Sequence, residues 1–207
     1  MSAGDREPEQ TRARDGVAWR IGTDAEVGWI RSRTVAGLSI TSAIPPVFED
    51  YATVVLPAPD WNDEFRSRAI AEHDRAVLKL LERPAPPQPW WLGYLETGDS
   101  DIVFDDAPRV RPYTVDWRYV LVEAYPEQAA SWRATSDQVG WKGTELPDVI
   151  FPQDRSWLLS TLWDDDWSCI GGSRALIAEL LADRLLGPRA RRVTIDQDAT
   201  PPGHVAI

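Results

Sequence analysis

Three consecutive carboxylates, Asp164, Asp165 and Asp166, stand between Trp163 and Trp167 and are the residues best suited to chemistry. Adjacent carboxylates can hold Ca²⁺ or Mg²⁺ through their oxygens, and Asp99, Asp101, Asp105 and Asp106 form a second acidic group. Hard-ion loops place their ligands at alternating positions around a turn glycine, and neither cluster has that spacing. The aspartates therefore read as a charged hairpin tip, with a metal site as the competing reading. Paired carboxylates also carry out glycoside hydrolysis, but nothing in the spacing selects a pair.

The other reactive side chains offer less. Cys169 lies in an apolar stretch with no histidine beside it in the chain, as a buried small hydrophobe would. His73 falls on the apolar side of a helical pattern, where a satisfied imidazole is expected rather than a general base. His204 lies close to the C-terminus, in a stretch expected to be a tail. The chain has no G-x-G-x-x-G, no phosphate-binding G-x-x-x-x-G-K, no G-x-S-x-G and no C-x-x-C. No catalytic residue is assigned, and neither a metal nor an organic cofactor is expected.

Charge narrows the choice of partner. A net charge of −11 opposes binding to a phosphate backbone, which draws on clustered Lys and Arg. Arg12 and Arg14 lie in a polar N-terminal stretch, and Arg189, Arg191 and Arg192 follow the last helical pattern, where solvated tails are expected. Nucleic acid and anionic membranes are disfavoured, and a basic protein is the expected partner. Lys79 and Lys142 are the only lysines and Asn62 the only asparagine, a bias that codon usage in a G+C-rich genome produces without selection for arginine. With a single cysteine there is no disulfide framework, and no run of about 18 apolar residues or N-terminal apolar region is present. A cytoplasmic setting is expected.

Tryptophan is the remaining anomaly, with 11 copies. Indoles supply large apolar area to cores and also anchor interfaces. Trp163 and Trp167 flank the aspartates and Trp141 falls in a loop, so an exposed aromatic patch ringed by acid is the expected contact surface.

Positioning these residues requires a fold that 207 residues at 43% hydrophobic content can build around one core. Seventeen prolines argue for short elements and stiff connections, hence an α+β fold: a largely antiparallel sheet packed against one long amphipathic helix and a C-terminal helix. Residues 1–16 are expected to be disordered, 17–188 to form the domain and 189–207 a flexible tail. Val17 to Ile30 reads as one or two strands, Leu38 to Thr41 as a strand, Pro46 to Tyr51 as a short helix and Val54 to Leu56 as a buried strand. Trp61, Phe65, Ala69, His73, Val77, Leu80 and Leu81 recur at helical spacing over Asp60 to Arg83. The prolines from Pro84 to Pro89 form a rigid link into two strand-like stretches beginning at Trp90 and Tyr113. WLLSTLWDDDWSCIGG reads as a hairpin. Ser173 then caps a helix that buries Leu176, Ile177, Leu180, Leu181 and Leu185 and ends at Gly187 and Pro188.

The run PDVIFPQDRSWLLSTLWDDDWSCIGGSRALIAELL, with VAWRIGTDAEVGWI and PWWLGYL, resembles a group of actinobacterial proteins that have no assigned activity to carry over. The proline-led IPPVFEDYATVVLP, followed by strands and a final helix, is similar to SMI1/KNR4-type immunity proteins. That resemblance implies an acidic α+β module that binds and neutralises a toxin, and it transfers no binding residue. The function expected is thus a non-catalytic acidic binding module, immunity-like or regulatory, that contacts a basic partner. The alternative is a metal-assisted hydrolase built on the clustered aspartates.

Overall fold

The computed structural model describes residues 10–12, 18–57, 63–83, 87–96, 107–126, 146–162 and 166–205. The architecture is α+β, with a nine-stranded sheet and four α-helices among the described residues. The strands are β1 (Gln10–Arg12), β2 (Ala18–Ile21), β3 (Asp50–Val55), β4 (Trp90–Leu95), β5 (Tyr119–Ala124), β6 (Val149–Pro152), β7 (Leu158–Ser160), β8 (Trp167–Gly172) and β9 (Ala190–Arg192). Their order across the sheet is β1-β2-β5-β4-β6-β7-β8-β3-β9, and every pairing is antiparallel.

Side chains alternate across the central strands, so both faces of the sheet are buried. Ala52, Val54, Leu92, Val120, Val122, Ile150, Leu159 and Ile170 point into one core. Tyr51, Trp91, Tyr119, Leu121, Val149, Phe151, Leu158, Trp167 and Cys169 point into the other. The helices α3 (Asp63–Glu82) and α4 (Arg174–Ala182) cover the first face, α3 through Val77, Leu80 and Leu81 and α4 through Leu176, Ile177 and Leu180. The second face is covered by α1 (Asp24–Arg31), by α2 (Ile40–Ala43), and by Val110, Tyr113, Val193 and Ala199 from irregular segments. Having two cores explains the near-continuous apolar runs of β4, β5 and β8, since a strand buried on both faces shows no polar alternation.

Several expectations are corrected. The stretch after β2 is a helix, because Thr23 accepts from the Ala25 N–H and the Glu26 side chain accepts from the Thr23 backbone, a capping box that starts α1 and overrides the strand-like Val27, Trp29 and Ile30. Residues 40–43 form a helical turn rather than a strand. Tyr51 belongs to β3, where it pairs with Gly171, and not to a helix begun by Pro46. The last helix stops at Ala182: Asp183 is extended (ψ 137°) and its carboxylate accepts from the N–H groups of Leu185 and Leu186. That exit shifts the phase of the chain by one residue, so Leu186 is fully buried and Leu185 is 40% exposed.

Gln10–Arg12 pairs with β2. Beyond residue 188, β9 pairs with β3, and Ser39 forms a bridge with Asp198. The three late arginines are not a solvated tail. Arg189 donates to the Val55 carbonyl at 2.8 Å, Arg191 to the carbonyls of Asp198 and Thr200, each at 2.8 Å, and Arg192 pairs with Asp50 at 3.0 Å.

Candidate functional site

Asp166 immediately precedes β8, and its backbone carbonyl accepts from the Leu56 N–H at 2.6 Å, which pins it to the end of β3. Its side chain is 50% exposed. A turn closed by the His204 N–H donating to the Pro201 carbonyl, with Gly203 at φ 87°, carries His204 back to this corner. His204 Nδ1 lies 2.7 Å from Asp166 Oδ1, and its ring stands edge-on to Trp167 at 5.9 Å. The histidine expected in a loose tail is thus held against Asp166.

Trp167 does not form the exposed platform expected of it. It is 2% exposed, because β8 lies between β7 and β3 and the odd-numbered positions of β8 face the second core. Trp163, Asp164, Asp165 and Trp141 lie outside the described residues. Among the described residues, no three His, Cys, Asp or Glu side chains gather as metal ligands would. No helix among them is long and apolar enough to cross a membrane.

Elsewhere the acidic surplus has local work. Asp154 accepts from the Ser156 N–H and from Gln88, Asp198 from the Thr200 N–H, Glu49 from the Arg174 N–H, and Asp24 from the Arg111 N–H. The N–H of Leu186, with that of Leu185, holds the Asp183 carboxyl below its ordinary range. These carboxylates cap turns and helices. The Asp166 carboxylate pairs instead with the imidazole of His204.

Cys169 is buried in the second core. His73 is 1% exposed, and its Nδ1 lies 3.1 Å from Arg189. Burial, then the neighbouring guanidinium, lowers its pKa to about 3. Arg189 has only N–H donors, so Nδ1 must be the acceptor and the ring is neutral with its proton on Nε2.

A second region was not foreseen. Val35, Ala36, Gly37 and Ser42 face Tyr113, Thr114, Val115, Trp117 and Leu162 across a concavity of about 230 Å³. Gly37 makes the turn between α1 and α2 at φ 134°, a conformation closed to most side chains. The facing segment is fixed by Arg111 N–H donating to Asp24 and by the bridge between Val110 and Tyr119. Tyr113 shares a hydrogen bond with Ser160, and burial pushes its hydroxyl well above the ordinary range despite that bond. Three stretches distant in sequence build this hollow, so no motif announces it.

Scans against protein-family models, curated proteins and solved structures return no match to this chain.

Proposed function

We propose that this chain is a non-catalytic acidic binding module of the cytoplasm, immunity-like or regulatory, that contacts a basic partner through the corner at Asp166. The observation that carries the reading is the placement of Asp166. It is half exposed, anchored through its backbone to β3 and braced by His204, so its charge is presented to solvent from a fixed position. A net charge of −11 adds long-range attraction for cations. With Trp167 buried, the apolar part of the contact falls to Trp163 and Trp141.

Capture with tagged chain from host lysate at low and moderate salt tests this. The expected result is a basic protein that is lost as salt rises and whose affinity falls about two- to fivefold in Asp166→Asn, the size of one exposed ion pair. Retention that is indifferent to both salt and Asp166→Asn would refute the assignment. A thermal shift with Mg²⁺ or Ca²⁺ that disappears in Asp166→Asn would move it to the metal-assisted hydrolase.

A further inference from the structure

The bond that fixes Asp166 also occupies it. An ionised carboxylate has no hydrogen to give, so across the 2.7 Å between His204 Nδ1 and Asp166 Oδ1 the imidazole is the donor. The side chain that braces Asp166 is thus also an internal rival for the carboxylate. A guanidinium makes its strongest contact with a carboxylate through both oxygens. An arginine brought by a partner therefore meets an Oδ1 that His204 already holds.

The rival is weakly held. The side chain of Asp166 is 50% and that of His204 26% exposed, and ion pairs and hydrogen bonds in such surroundings contribute little. The edge-on contact of the ring with Trp167, at 5.9 Å and 72°, is its other hold on the corner.

His204 can also leave without disturbing the sheet. Upstream, the Ala199 N–H donates to the Leu38 carbonyl at 2.8 Å and the Thr200 carbonyl accepts from Arg191 at 2.8 Å, and both Ala199 and Pro201 are buried. Beyond Thr200, the hydrogen bonds among the described residues are that of the His204 N–H to the Pro201 carbonyl, at 3.1 Å, and the bond to Asp166. Gly203, just before the histidine, has φ 87° and open space where a Cβ would sit, and Val205, just after it, is 78% exposed. A torsional change at Gly203 swings the imidazole off Asp166 and leaves β3, β8 and β9 as they are.

We propose that His204 is an autoinhibitory latch: its imidazole holds the Asp166 carboxylate until an arginine of the partner displaces it, with Gly203 as the hinge. This rests on Asp166 being the contact for a basic partner. The range measured for exposed pairs corresponds to a latch that lowers the affinity by up to about fivefold.

The test uses the full chain and the peptide acetyl-Arg-Gly-Arg-amide at low salt, followed through the backbone amide signals of Asp166 and Trp167. His204→Phe keeps a ring against Trp167 and removes the donor, and His204→Ala removes both. Each should bind the peptide about two- to fivefold more tightly than the wild type, and neither should change the affinity once Asp166→Asn is present. In the wild type, the peptide should move the His204 ring signals to the positions they take in Asp166→Asn. The sign separates a latch from a plain brace, because losing a brace loosens Asp166 and weakens the contact. Equal or weaker binding by His204→Phe, while Asp166→Asn weakens the peptide, overturns the latch and leaves the contact at Asp166 standing. A gain of the same size with and without Asp166→Asn also overturns it, since it then reflects overall charge. No effect of Asp166→Asn on the peptide removes the contact itself, and the latch with it.

Discussion

Replacing Trp157 with alanine should destabilise the fold by about 3–5 kcal/mol, the largest loss expected from a single core side chain here. Trp157 is fully buried immediately before β7, in the core between the sheet and α4, and its ring meets Trp90 edge-on at 4.8 Å and 86°. Truncation removes the apolar area and the edge-to-face pairing with Trp90, worth about 0.5–1.5 kcal/mol. Two rigid strands, β7 and β8, flank the site and limit collapse into the cavity. The indole N–H has no acceptor among the described residues, so Trp157→Phe gives up area without breaking a hydrogen bond there and should cost well under half as much. Urea denaturation of both variants checks the ratio. Equal losses would show that the indole N–H, rather than packing, dominates.

Packing of this kind was partly legible. The apolar runs of WWLGYL and WSCIGG marked β4 and β8, and the three aspartates correctly separated β7 from β8. Ser173 was readable as a cap, and its hydroxyl accepts from the Leu176 N–H. The Thr23 and Glu26 capping box is equally visible in the sequence, but the alternation of Val17, Trp19 and Ile21 runs on into it and obscures it. Strand β9 could not be read, since Ala190–Arg192 has no apolar pattern and owes its order to backbone pairing with β3. Arginines beside a sheet edge look the same in sequence whether they hydrate or bond carbonyls.

The candidate sites were less legible than the fold, for a related reason. Asp166 is visible as an acid, whereas its brace, His204, is 38 residues away and is brought to it by the turn at Pro201 and Gly203. Trp167 shows the converse. Flanking a charged loop suggests exposure, but the pleat of β8 decides the matter and turns the ring inward.

Mild acid should destabilise the protein through His73, in a range set by its two pKa values. The unfolded imidazole titrates near 6.5, and in the fold its pKa is lowered to about 3 by burial and by Arg189. Between these values the unfolded state binds the extra proton, so stability rises with pH across the window and is lost as pH falls below 6.5. The slope from this one group approaches about 1.4 kcal/mol per pH unit well inside the window. The junction at stake is central: Arg189 holds His73 of α3, the Val55 carbonyl of β3 and the Leu185 carbonyl together, and a proton on Nδ1 would face the guanidinium. Asp154, Asp183 and Asp198 have lowered pKa values in the fold, so they lose their stabilising effect only below their ordinary 3.8. The range from pH 6.5 to 4.5 therefore isolates the histidine. His73→Asn keeps an acceptor for Arg189 near the Nδ1 position and cannot titrate. At pH 7 the variant should be the less stable protein, and the gap should narrow by about 2 kcal/mol by pH 4.5 as the wild type loses stability and the variant does not. Urea titrations at four pH values measure the gap directly. A gap that stays constant from pH 7 to 4.5 would mean that His73 accepts its proton in the folded state, by turning away from Arg189 into solvent.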